Sequence, residues 1–300
     1  MKAIVIHETG APDVMQLEEV DRPEPGEAEV LIRVHAASVN PVDWKYRAGR
    51  ASGELPMVLG RDISGTVEVS RAEGFSEGDE VFGMSVSGGY AEYSTAAAER
   101  IAKKPKGVSH EQAAAIPVAG LTAWQALFET AGLKDGQTAL VAGAAGGVGH
   151  FAVQFAKVAG AQAIGTASGS NRDFVLGLGA DEFVDYTQQE VGQAVSDVDV
   201  ALDTVGGEVT ASLLPALREG GALVTIAAEP PEEAARKRGV RAELLIMSAG
   251  AGELEQIGEL VAAGEVRVEI SETFPLNEAA AAHERSEAGH VRGKLVISIG

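Results

Sequence analysis

Thr138-Ala139-Leu140-Val141-Ala142-Gly143-Ala144-Ala145-Gly146-Gly147-Val148-Gly149 is the stretch that decides the fold. Its uncharged opening reads as a buried strand. Gly143, Gly146, Gly147 and Gly149 read as a tight turn, and the apolar spacing beyond them predicts a helix over Val148–Ala159. A strand running through a glycine turn into a helix is the context that a dinucleotide fingerprint requires. Glycine lets the main chain approach a pyrophosphate closely. The helix behind it points free N–H groups and a positive dipole end at the phosphates. Phe151 and Phe155 would pack that helix onto the sheet. The flanking elements carry the argument, because glycine-rich turns are common in a chain with 37 glycines.

Downstream, short apolar runs at Ala163–Ala167, Phe183–Asp185, Val198–Leu202 and Leu223–Ala227 alternate with helical segments. One of these segments opens on Thr187-Gln188-Gln189-Glu190, a capping-box pattern. Alternation of β and α predicts an α/β, doubly wound parallel sheet of the Rossmann type. Glu229–Arg241, with two prolines and mixed charge, reads as an exposed connection. The second strand bears on the choice of coenzyme. NAD units place an acid there for the ribose 2′-OH. Here the strand ends in Gly165-Thr166-Ala167-Ser168-Gly169-Ser170-Asn171-Arg172, with no acid until Asp173. Hydroxyls, an amide and an arginine suit a 2′-phosphate, which points to NADPH. Alternatively, Asn171 and Arg172 merely cap the next helix.

Upstream the periodicity changes from helical to two. Val30, Ile32, Val34 and Ala36 alternate with Leu31, Arg33 and His35, and Ile63, Gly65, Val67 and Val69 with Ser64, Thr66, Glu68 and Ser70. Turns at Pro23–Gly26, Glu77–Asp79 and Gly88-Gly89 separate such strands, which suggests a barrel or sandwich. Ser109-His110-Glu111-Gln112 opens an Ala-rich helix. Leu121, Trp124 and Phe128 recur at helical spacing ahead of Gly132, a helix stop. Beyond Gly264 short strands return, with a helix from near Asn277 and a last strand at Lys294–Ile299 that rejoins the first domain.

Composition narrows the function. A net charge of −20 disfavours nucleic acid and anionic membrane surfaces as partners. The absence of cysteine removes disulfides, thiolate zinc ligands and a thiol nucleophile. No run approaches the ~20 apolar residues of a spanning helix, and the N-terminus lacks a signal-like apolar core, so a cytoplasmic location is the expectation. His7, His35, His110, His150, His283 and His290 show no metal spacing, and His150 is expected on a helix surface.

Taken together, Ser38-Val39-Asn40-Pro41-Val42-Asp43, Leu59-Gly60-Arg61-Asp62-Ile63-Ser64-Gly65, Gly120-Leu121-Thr122-Ala123, the glycine turn, Asp203-Thr204-Val205-Gly206-Gly207 and Gly220-Gly221 resemble the zinc-independent quinone oxidoreductases of the medium-chain dehydrogenase/reductase superfamily. The resemblance covers nearly the whole chain. It implies a GroES-like β-barrel domain over residues 1–118, completed by 268–300, and a Rossmann NADPH-binding domain over 119–267. It implies NADPH as coenzyme, a small-molecule quinone or α,β-unsaturated carbonyl as substrate, and a homodimer. Zinc relatives carry Cys near the position of Asn40 and a His-Glu pair at the positions of Arg61-Asp62, so no metal is expected.

Carried over by position, the resemblance puts Asn40 and Thr122 at the nicotinamide end. Ala145, Gly146, Gly147 and Val148 fall on the pyrophosphate, and Ser168, Asn171, Arg172 and Tyr186 on the 2′-phosphate. Val205 and Ile226 flank the nicotinamide, and Arg292 and Lys294 lie where the tail returns to the coenzyme. Lys45 stands where many relatives have tyrosine, with Tyr46 next to it, and a lysine there resembles enone reductases. Asn40, Lys45 and Tyr46 are therefore the catalytic candidates, since a donor must meet the negative charge that develops on the substrate oxygen. Against this, Trp44 and Tyr46 could be barrel core, Lys45 a solvated charge and Asp43 a turn cap. A conjugated-enone or enal reductase with no quinone role and a non-catalytic NADPH-binding sensor are the rival functions.

Overall fold

The computed structural model describes residues 1–300. In chain order its strands are β1 (Lys2–Ile6), β2 (Gln16–Glu19), β3 (Glu29–Val39), β4 (Met57–Val58), β5 (Asp62–Ser70), β6 (Glu80–Met84), β7 (Tyr93–Ala97), β8 (Ile101–Lys103), β9 (Thr138–Ala142), β10 (Gln162–Ala167), β11 (Glu182–Asp185), β12 (Val198–Asp203), β13 (Leu217–Thr225), β14 (Arg241–Leu244), β15 (Ile270–Pro275) and β16 (Lys294–Ser298). The chain divides into two compact units. The first holds Met1–Ala119, Ala249–Gly264 and Val268–Gly300, and the second holds Gly120–Ser248 and Glu265–Arg267. Ala249–Gly264, expected with the second domain, falls in the first. The reason is visible in its helix, Ala251–Ala262, where Gly258 lies close against Pro105 and Phe82.

The first unit is the GroES-like domain. Its seven-stranded sheet runs β15-β16-β3-β5-β6-β8, with β7 also on β3, and a second sheet runs β2-β1-β4. The length of β3 explains the branching. Its first half, Glu29–Arg33, pairs with β7, and its second half, Ala36–Val39, pairs with β16. The C-terminal strand β16 thus joins the sheet that begins with β3. Period-two side chains Val30, Ile32 and Val34 enter one core with Ile63, Val67, Leu295 and Ile297.

The second unit is a Rossmann sheet, with all strands parallel in the order β11-β10-β9-β12-β13-β14. This is the doubly wound arrangement expected from sequence, with its switch point between β9 and β12. Leu140, Ile164, Ala201 and Leu223 form its core with Leu213 and Leu217. Three local expectations need correction. The run ending at Ala227 stops as a strand at Thr225. Thr187 caps no helix: its hydroxyl donates to Asp185 instead, and the short helix Val191–Ala194 starts from Glu190 without a side-chain cap. The supposed connection Glu229–Arg241 contains a helix, Glu232–Lys237, whose Ala235 is buried in the core. No helix is long and apolar enough to cross a membrane.

Candidate functional site

In the second unit, the glycine turn sits at the carboxyl end of β9, where open α/β sheets bind ligands. The glycines differ in role. Gly143 adopts φ +75°, and a Cβ on it would lie 2.4 Å from Thr204 Oγ1. Gly149 begins the helix Gly149–Val158, and its Cβ would lie 2.1 Å from Gly143 O. These two close the turn against its surroundings. At Gly146 an added Cβ would meet only Gly143 O, at 3.3 Å. Gly146, Gly147 and Val148 are half-buried, and Ala145 lies beneath them. The half-buried crest is therefore largely main chain with room beside Gly146, which fits a diphosphate.

His150 is not on the helix surface. It is fully buried, its Nδ1 lies 3.0 Å from Gly146 O, and its ring packs on Phe151. Helix periodicity did not reveal this, because the neighbours that bury it are brought by the fold. The loop after β12 is organised by Asp203, also fully buried. Its Oδ1 accepts from Val205 N and Gly206 N, and its Oδ2 from the hydroxyls of Thr210 and Thr225. That loop holds Val205 half-exposed at the strand end, while Ile226 N donates to Asp203 O at the end of β13. Thr204 Oγ1 donates to Ala142 O at 2.8 Å and ties this loop to the glycine turn. Thr122 is buried in the helix Pro117–Trp124.

At the end of β10, Asn171 Nδ2 donates to Ser168 Oγ, and Ser168 Oγ lies 3.2 Å from Ser170 Oγ. Arg172 is exposed, its guanidinium 5.4 Å from the centroid of the Phe183 ring. Tyr186 is half-exposed, with its N–H on Ala167 O. Counting acids along β10 overlooked Asp185, which the parallel pairing of β10 with β11 sets opposite Ala167. Bonds from Thr187 side chain and main chain hold its carboxyl below the usual range.

In the first unit, strand register gathers the chemistry. Ser38 on β3 faces Asp62 on β5, and Leu295 on β16 faces Val39, so Lys294 falls beside Asn40. Asn40, Asp62 and Lys294 are all buried. Asp62 Oδ2 accepts from Ser38 Oγ at 2.9 Å and Asn40 Nδ2 at 2.8 Å, and its Oδ1 from Val118 N at 3.1 Å. Lys294 Nζ donates to Asn40 Oδ1 and Val39 O and lies 3.9 Å from Asp62. Burial pushes the Asp62 carboxyl up and the Lys294 ammonium down, and each charge opposes the other's shift. The three donors on Asp62 and the two acceptors on Lys294 suit an ionised pair. The Lys294 ammonium is thus engaged inside the first unit, on Asn40 and Val39. Arg292 is exposed at the tail before it.

Asn40 precedes the helix Pro41–Arg47, and its N–H donates to Asp43 Oδ2. Asp43 thus caps the turn, as one reading of the sequence had it, and does so from a buried position. Tyr90 OH lies 3.3 Å from Asp43 Oδ2 and 3.2 Å from His283 Nε2. Burial, the largest cause, lifts Asp43 to about 7, and burial with the neighbouring Arg47 lowers His283 to about 3. Tyr46 is half-buried against the core, and its phenol oxygen accepts from Arg61 Nη2 at 2.9 Å. Lys45 is exposed, with Nζ 5.9 Å from the centroid of the Trp44 ring.

Similarity to known proteins spans both units. Residues 26–106 match the alcohol dehydrogenase GroES-like domain, and residues 178–297 match the family described as zinc-binding dehydrogenase. The mouse (Mus musculus) quinone oxidoreductase is 34% identical, over 99% of this chain and 97% of its own. The solved quinone oxidoreductase of Coxiella burnetii is 38% identical with a TM-score of 0.93, covering 100% of this chain and 99% of that one. The Escherichia coli quinone oxidoreductase complexed with NADPH is 27% identical with a TM-score of 0.91, covering 99% and 100%. The residues of this chain do not suit the zinc of the second description. There is no cysteine, no cluster of three or more His, Asp or Glu arranged to hold a metal, and the Asp62 oxygens already receive three N–H or O–H donors.

Proposed function

The chain belongs to the quinone oxidoreductase family of the medium-chain dehydrogenase/reductase superfamily, and from that premise we propose that it reduces a quinone or a conjugated enone with NADPH, without zinc. The observation that carries this reading is the glycine turn at the switch point, packed tight at Gly143 and Gly149 and open at Gly146.

Bound NADPH would supply the hydride. Main-chain N–H groups of Ala145, Gly147 and Val148 would hold its diphosphate, Gly146 N donating to Gly143 O to close the turn, with the helix Gly149–Val158 adding its positive end. Ser168, Asn171, Arg172 and Tyr186 would receive the 2′-phosphate, and the charge of Arg172 would favour it over a hydroxyl. Thr122, Val205 and Ile226 would bracket the nicotinamide end. Negative charge grows on the acceptor oxygen as hydride arrives, and a positioned donor meets it. Tyr46 suits this best. Arg61 donates to its oxygen, so its own O–H proton remains to be given. Lys45, exposed, is the second donor, and Asn40 presents an amide. Quinones and enones spread the charge over several atoms and need less help than a plain ketone. The lysine at 45 favours the enone branch as the second reading. A homodimer is proposed on family resemblance.

The test offers NADPH and NADH with benzoquinone, naphthoquinone, 2-alkenals and cyclohexenone while following nicotinamide absorbance. NADPH should be preferred roughly tenfold or more in kcat/KM, the worth of one charge-assisted contact. A preference for NADH overturns the coenzyme assignment, and binding without turnover on any acceptor makes the protein a sensor instead. Tyr46→Phe should lower kcat by about a hundredfold. If Tyr46→Phe and Lys45→Ala both keep full kcat/KM, neither residue is the donor.

A further inference from the structure

Asn40 stands at the N-cap of its helix, a position where an asparagine side chain ordinarily accepts from the first turn. Here the N–H of Asp43, in the first turn, donates to the Asn40 main-chain oxygen at 3.0 Å. The Asn40 side-chain amide is held across the sheet instead, between a carboxylate and an ammonium. A carboxylate can only accept, and an ammonium can only donate. Flipping the carboxamide would set its oxygen against Asp62 and its NH2 against Lys294, turning two bonds into two repulsions. Both jaws are themselves fixed, Asp62 by Ser38 Oγ and Val118 N, and Lys294 by Val39 O. One of the two amide hydrogens is committed to Asp62, and the other is left over.

We infer that Asp62 and Lys294 are positioning residues for Asn40: they lock its carboxamide so that it offers an electron-rich acceptor oxygen an N–H and not a carbonyl. The buried ion pair gives the amide a fixed sense that an asparagine on a solvated loop would lack. This also accounts for a lysine being carried fully into the first unit, where an apolar residue would be cheaper to bury. The catalytic half of the inference rests on the functional reading above; the lock itself does not.

Two arms test it. In the first, asparagine side chains are labelled with nitrogen-15, and the Asn40 pair is identified by its loss in Asn40→Ala. Hydrogen exchange of that pair should be at least about tenfold faster in Asp62→Asn, because an amide in place of the carboxylate admits both orientations. Equal exchange in wild type and Asp62→Asn overturns the lock. In the second arm, Asp62→Asn should lower kcat roughly tenfold or more while leaving the KM for NADPH within about twofold. The double variant with Asn40→Ala should be no slower than Asn40→Ala alone. Losses that multiply mean that Asp62 does not act through Asn40, and they overturn the positioning role. Lys294→Arg, which keeps the donor and the charge, should retain more activity than Lys294→Gln, and equal losses count against the ammonium's part. A wild-type protein inert to every quinone and enone brings down the functional reading, and the exchange arm still decides the lock.

Discussion

The two units bury polar groups in opposite ways. The first encloses Asp43, Arg47, Asp62 and Lys294 together with His283, whereas the second encloses Asp203 and His150. Charge inside a protein is costly even when paired, so a fold keeps it where a fixed direction matters more than stability. In the first unit Asp43, Asp62 and Lys294 converge on Asn40, while Arg47 pairs with Glu287. The second unit needs no such outlay, because its ligand-binding surface is main chain. A glycine turn presents N–H groups whose direction is set by φ and ψ, and its precision comes from close packing at Gly143 and Gly149. One unit orients by ions and the other by backbone.

The largest effect tests the exception. Asp203→Ala leaves two main-chain N–H groups and two buried hydroxyls without their acceptor. Bonds to a charged group are worth about 1.5–3 kcal/mol each but are partly re-made with water, so the expected loss is about 4 kcal/mol in urea unfolding. NADPH affinity should fall with it as the loop carrying Val205 loosens. A loss under about 1 kcal/mol would show that the second unit depends on no buried charge at all.

Next comes the backbone half of the comparison. Gly149→Ala forces a Cβ to within 2.1 Å of Gly143 O, a main-chain atom that cannot swing aside. It should cost about 3 kcal/mol or more and abolish NADPH binding, as overpacking against backbone does. Gly146→Ala meets a single atom at 3.3 Å and should cost under about 1 kcal/mol. If the two variants behave alike, the division of labour within the turn is wrong.

The ionic half is sharpened by pH. Asp43 is raised from 3.8 to about 7, mainly by burial, with Asp62 adding to the rise and Asn40 N–H, Lys294 and Tyr90 opposing it. Its contribution to stability is complete below about pH 4 and is lost as pH rises toward 7. His283 is lowered from 6.5 to about 3, by burial and then by Arg47. Its contribution is complete above about pH 6.5 and is lost as pH falls toward 3. Between roughly pH 4 and 6.5 the two slopes have opposite sign, each about 1.4 kcal/mol per pH unit, so they cancel. His283→Gln removes one slope. Relative to wild type, that variant should gain up to about 3 kcal/mol as pH is lowered across this window. Asp43→Asn should show the reverse trend. A difference that does not change with pH would mean that neither group titrates abnormally in the fold.

The backbone half of this comparison was legible in the sequence and the ionic half was not. Strand periodicity, the glycine turn and the second-strand ending are local patterns, readable within a dozen residues. The Asn40 clamp depends on Lys294 meeting β3, and that follows from the register of β16, set by hydrophobic packing hundreds of residues away in the chain. No local pattern singles out Arg47, yet it is buried and donates to Glu287 on the helix Ala279–Glu287. Asp185 escaped notice for the same reason: a parallel pairing, not sequence distance, brings it to the end of β10. His150 was misplaced because helical period locates a face but not what covers it.

The smallest effect contrasts two capping motifs of similar spelling, one in each unit. Ser109-His110-Glu111-Gln112 behaves as read: Ser109 Oγ accepts from Gln112 N, and Gln112 Oε1 accepts from Ser109 N. Thr187-Gln188-Gln189-Glu190 does not, because Asp185, two residues earlier at the end of β11, captures the Thr187 hydroxyl before a helix can start. Ser109→Ala should therefore cost about 1 kcal/mol, and Thr187→Ala only a few tenths, since its bond is exposed and local. Removing the competitor sharpens the contrast. In Asp185→Ala the Thr187 hydroxyl is released, and if competition alone prevented the cap, a subsequent Thr187→Ala should cost more than it does in the wild-type background. Equal costs in both backgrounds would mean that the backbone after β11 is set by the sheet, and that the capping pattern there never had a helix to serve.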